Sequence, residues 1–75
     1  MPHIYIKLAP GTTDAQKQEF ADMIVTQGTR ILGHKEEVFS VAFEEIPYER
    51  WKKEVYDVEI VPPKGQMFKK PGYEL

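Results

Sequence analysis

Pro2 directly follows the initiator methionine, and it heads a stretch, His3 to Leu8, that reads as a strand. Methionine is normally trimmed when a small residue follows it. Trimming here would leave a secondary amine at the tip of a rigid element. In apolar surroundings the protonated form of such an amine is disfavoured, so its pKa falls and it can accept a proton near pH 7. The plainer alternative is a proline that starts an edge strand, where its missing N–H costs little. Other chemistry is scarce: the chain has no cysteine nucleophile, phosphate-cradling glycine loop or His-Glu-x-x-His helix. His3 and His34 read as ordinary surface or edge residues, and Glu36-Glu37 as a solvated run. Glu44-Glu45 would point to opposite faces of a strand and could not act as an acid/base dyad. Lys69-Lys70 suits a soluble tail better than a phosphate site.

The elements that would position Pro2 follow from hydropathy. Ile4, Ile6 and Leu8 alternate with His3, Tyr5 and Lys7, the period of a strand with one buried face. Ala9-Pro10-Gly11 reads as a turn. Thr13-Asp14-Ala15-Gln16 fits a capping box that opens a helix from about Asp14 to Leu32, with Asp14 at the positive end of its dipole. Phe20, Ile24 and Ile31 share an apolar face, which Ala21, Val25, Gly28 and Leu32 widen. Gly28 costs about 1 kcal/mol of helix propensity, which is tolerable where another backbone passes closely. Gly33 stops the helix as a left-handed cap. After the polar connection 34–37, Val38 to Glu44 reads as a second strand carrying Phe39, Val41 and Phe43 on one face. Strand, helix, strand is a β-α-β unit with parallel strands and a right-handed crossover. Beyond it, residues 46–51 form a turn bearing Trp51, Lys52 to Val58 a short helix, and Lys69 to Tyr73 an irregular tail.

Seventy-five residues make one domain, 1–75, with a thin core. No disulfide or zinc cluster can staple it. A net charge of −2 argues against a nucleic-acid partner, which usually meets a basic stripe. No apolar run is long enough for a bilayer and no signal peptide precedes the first strand, so a cytoplasmic protein without a membrane partner is expected. With 41% apolar residues and few places to bury them, the chain is expected to associate with itself.

Pro2-His3-Ile4 with Ile6-Lys7, Ser40-Val41-Ala42, Trp51, Asp57-Val58-Glu59-Ile60 and Lys69-Lys70-Pro71-Gly72-Tyr73 occur in an order that resembles the 4-oxalocrotonate tautomerase family. The resemblance is closest to its branch of short bacterial tautomerases, the PptA type. It implies an α/β (α+β) fold with a β-α-β protomer, catalysis by the amine of a terminal proline, and a pocket shared between protomers. Pro2 carries over as the acid/base and Trp51 as an aromatic wall. Better-known members grip a dicarboxylate with two arginines, whereas Thr12 and Ser40 stand at what look like those positions. No forked guanidinium would then hold a diacid. The expected substrate is an aromatic or otherwise apolar enol, of the kind a phenylpyruvate-type 2-keto acid forms.

The reaction this implies is keto–enol tautomerisation. Neutral Pro2 takes a proton from the enol and returns it to the conjugated carbon, and neither a metal nor a cofactor is needed for that transfer. The Ser40 hydroxyl, the Arg50 side chain or a backbone N–H of a neighbouring protomer would steady the oxyanion. Two other readings of the same fold are a non-catalytic interaction module and a relative that hydrates or dehalogenates an unsaturated acid. The expected assembly is a homodimer with a four-stranded sheet and two helices on one face, a hexamer being the alternative.

Overall fold

The computed structural model describes all of residues 1–75. Strand β1, His3–Leu8, leads through a turn into helix α1, Asp14–Leu32, and then to strand β2, Ser40–Glu45. The two strands are parallel and in register from His3 opposite Ser40 to Leu8 opposite Glu45. Alternation sets Ile4, Ile6 and Leu8 towards α1. Ile6, Leu8 and Phe43 meet Phe20 and Met23 there, with the Phe20 and Phe43 rings 6.5 Å apart. The architecture is the expected β-α-β arrangement followed by a helical C-terminal portion.

The ends of α1 lie where local chemistry places them. The Thr13 hydroxyl accepts from the Gln16 N–H at 3.1 Å, and the Thr13 N–H donates to the Gln16 side chain at 2.9 Å. Gly33 takes φ +75°, and its N–H donates to the Thr29 carbonyl. Gly28 has a different neighbour from the expected one. A Cβ there would stand 2.5 Å from Cε2 of Phe39, so an aromatic ring rather than a passing backbone requires the glycine.

Two elements shift their bounds. β2 begins at Ser40 rather than Val38, because Glu36–Val38 forms a single 3₁₀ turn that brings Phe39 under the helix. The second helical region starts earlier than Lys52. Helix α2, Tyr48–Trp51, runs without a break into nine residues of wide π-type turns, Lys52–Ile60. Their i→i−5 pattern continues in bonds from Val61 N–H to Tyr56 and from Lys64 N–H to Glu59, both 2.8 Å.

This C-terminal portion supplies most of what is buried. Ile46, Val55 and Tyr56 are the only side chains more than nine-tenths covered. Lys7, on the face of β1 away from α1, is paired with Glu59 of the π segment, and Lys64 stands 3.8 Å from the same carboxylate. The Lys7 hydrogen bond holds Glu59 below the usual carboxylate range, and the Glu59 bond raises Lys7 above the usual lysine value. Glu44 and Glu45 do take opposite faces. Glu44 accepts from the Tyr5 hydroxyl at 2.7 Å, and Glu45 from Lys17 of α1 at 3.1 Å.

Candidate active site

Pro2 and Ser40 are brought together at the head of the sheet. The Ser40 N–H donates to the Pro2 carbonyl at 3.2 Å, one rung before the strands proper begin. The Ser40 side chain, exposed beside the half-buried Pro2, lies 2.6 Å from Nδ1 of His3. His3 is therefore more than an edge residue, though a lone histidine beside a serine 37 positions away leaves no local trace in a sequence. Met1 is 96% exposed, so its removal breaks no packing around Pro2.

Trp51 lies at the other end of β1. It walls a cavity of about 490 Å³ with Leu8, Ala9, Tyr48, Tyr73 and Leu75, and Lys7 brings its one charged side chain. Helix α2 places Tyr48 and Trp51 on adjacent turns, three residues apart, so both rings line the same space. The tail closes the far side. The Trp51 indole N–H donates to the Tyr73 hydroxyl at 3.1 Å, and the Tyr73 ring sits 5.9 Å from the buried Tyr56. Tyr48 and Tyr73 are the aromatic lining residues that sequence reasoning did not single out as substrate contacts. The helical spacing of Tyr48 from Trp51 was the available signal for one of them.

Seven residue steps along β1 separate Pro2 from Ala9, about 23 Å at roughly 3.3 Å per residue. One chain therefore does not bring Pro2 and Trp51 to a common point. Arg50, next to Trp51 in sequence, faces outward and is paired with Glu54 at 2.6 Å one turn on. Thr12 lines a separate groove between α1 and the sheet. No arginine borders the Trp51 cavity. No three His, Cys, Asp or Glu side chains cluster as a metal site, and no helix is long and apolar enough to cross a membrane.

Comparison with known proteins gives the family. Residues 2–55 match the family model described as tautomerase enzyme. Tautomerase PptA of Cronobacter sakazakii is 43% identical over the whole length of both chains. A probable tautomerase of Xylella fastidiosa is 37% identical across 97% of this chain and 89% of its own. Tautomerase PptA of Escherichia coli O139:H28 is 35% identical, again over the full length of both. With more than half of its residues matched and relatives aligned from end to end, the chain belongs to the tautomerase family and is an enzyme of the isomerase class.

Proposed function

We propose that the chain interconverts the enol and keto forms of an aromatic 2-keto acid of the phenylpyruvate type, with the amine of Pro2 as acid and base. The observation that carries the reading is the Trp51 cavity, walled by three aromatic rings and three aliphatic side chains and bordered by a single cationic side chain. An aryl ring gains from stacking and apolar burial in such a space. A dicarboxylate would leave at least one charge without a partner, which a desolvated site penalises heavily.

Two copies of the chain complete the site in this reading. The sheet order β1-β2 leaves the outer edge of β1 unpaired. Pro2 and Leu8 accept from Ser40 and Ile46, so even-numbered backbone groups face β2 and those of His3, Tyr5 and Lys7 face outward. An antiparallel β1–β1 pairing must then set odd residues opposite odd residues. A two-fold axis through Tyr5 or Ile6 places Pro2 opposite Leu8 or Pro10 of the partner subunit, beside the partner's Ala9. That is the rim of the Trp51 cavity. The same axis leaves both α1 helices on one face of a four-stranded sheet.

The chemistry is a proton relocation. With Met1 removed, the neutral Pro2 amine accepts the enol hydroxyl proton while the electron pair shifts to the oxygen and through the conjugated system. The resulting ammonium returns the proton to the adjacent carbon, giving the ketone with no net gain or loss. Ser40, bonded to Pro2 through the backbone, is the oxyanion donor in this reading, because Arg50 is engaged by Glu54.

The test compares protein trimmed to Pro2 with protein carrying an uncleavable extension on its amino end, where the nitrogen is an amide. Ketonisation of the phenylpyruvate enol should be fast in the first and lost in the second at unchanged folding and mass. Equal rates would remove Pro2 from the mechanism.

A further inference from the structure

We propose that His3 is a positioning residue that turns the Ser40 hydroxyl proton towards the substrate oxygen. This deepens the reading above and rests on Ser40 being the oxyanion donor. Ser40 is tied to two consecutive residues at the start of the chain, Pro2 and the first residue of β1. Its N–H holds the Pro2 carbonyl, and its Oγ meets His3 Nδ1 at 2.6 Å, short for a nitrogen–oxygen pair. The register that sets His3 opposite Ser40 makes this contact a consequence of strand pairing.

A hydroxyl has one proton to give and two lone pairs to receive with. Two proton orders fit the same heavy-atom positions. Where Nδ1 is bare, Ser40 donates to it and has no proton left for a ligand. Where Nδ1 carries the proton, Oγ accepts, and the hydroxyl proton is directed away from the imidazole. Only the second order makes Ser40 a donor to an enolate, and the incoming N–H polarises the hydroxyl in the useful sense. Tyr5, whose ring is 6.3 Å from that of His3, does not compete, because its hydroxyl is committed to Glu44. His3 would then stand to Ser40 as an orienting group stands to a catalytic one, touching no substrate itself. The active form carries its proton on Nδ1.

Trimmed full-length protein and four variants test this on the phenylpyruvate enol: Ser40→Ala, His3→Ala, His3→Asn and the double Ser40→Ala/His3→Ala. Both side chains are exposed, so melting curves should be unchanged. Ser40→Ala is expected to lower kcat by about tenfold to a hundredfold, at or below the range for losing an oxyanion donor. His3→Ala should lower kcat several-fold with little change in KM, and add nothing in the Ser40→Ala background. His3→Asn, whose amide reaches the place of Nδ1, should recover most of that loss. Nitrogen-15 spectra of His3 with bound benzoylformate, which cannot enolise, should show the proton on Nδ1. A His3→Ala rate at or above wild type with Ser40→Ala impaired would overturn the role of His3 and leave that of Ser40 standing. A bare Nδ1 in the complex, or independent losses in the double variant, would overturn it equally. Full activity in Ser40→Ala would remove both roles together.

Discussion

The indole N–H of Trp51 donates to the hydroxyl of Tyr73 at 3.1 Å, fastening the end of the chain to the helix that carries the aromatic wall. The Tyr73 ring in turn leans on Tyr56, one of the three buried residues. The cavity is thus shaped by residues 22 positions apart, and removing either partner should be felt as lost binding area. Trp51→Ala is expected to raise KM for an aromatic enol more than it lowers kcat, the signature of a contact made equally in ground and transition states. Tyr73→Phe keeps the ring and loses the hydroxyl, so its KM change should be smaller. Steady-state kinetics on both variants decide this; unchanged values for Trp51→Ala would make the ring an interface residue only.

The free edge of β1 is expected to be paired in solution. Tyr5 and Phe20 are about half exposed in the single chain, and a two-stranded sheet is marginal alone. Sedimentation at micromolar concentration should give twice the 8.7 kDa chain mass. A folded monomer under those conditions would contradict both the dimer and the shared pocket.

The Lys7–Glu59 pair should make stability depend on pH at both extremes. Glu59 has a lowered pKa in the fold, so its contribution is present above its unfolded value, about 4.3, and is lost as pH falls through the folded value. Lys7 is raised, so its contribution is present below about 10.4 and is lost as pH rises through the folded value. Urea midpoints for Glu59→Gln should therefore lie below wild type near pH 7 and converge with it in strong acid. A constant gap at all pH values would mean that Glu59 acts by packing alone.

Gly28→Ala opposes two effects. Helix propensity favours alanine by about 1 kcal/mol, whereas a methyl 2.5 Å from the Phe39 ring forces that half-buried ring to move. Overpacking of this kind costs about 1–3 kcal/mol, so the single variant should be less stable than wild type. In a Phe39→Leu background the same change should become stabilising, because the ring edge is gone. Chemical denaturation of the four proteins of this cycle checks the reversal.

Much of the β-α-β unit was legible in the sequence because its signals are local. The alternation from Ile4 to Leu8 sets one face of a strand, and the capping box of Thr13 and Gln16 acts over three residues. Gly33 ends α1 through a bond to Thr29, four residues back. The order of motifs around Pro2 and Trp51 also pointed to the family. What the tertiary structure decided are relationships with no local counterpart. The parallel register sets His3 against Ser40 across 37 residues, and Lys7 finds Glu59 across 52. The path of the tail brings Tyr73 to Trp51. The length of β1 keeps Pro2 and Trp51 at opposite ends of that strand, although the proposed reaction uses both. A hydrogen-bond partner, unlike a cap or a strand period, is chosen by where the folded backbone carries each side chain, and that placement follows from packing the whole chain at once.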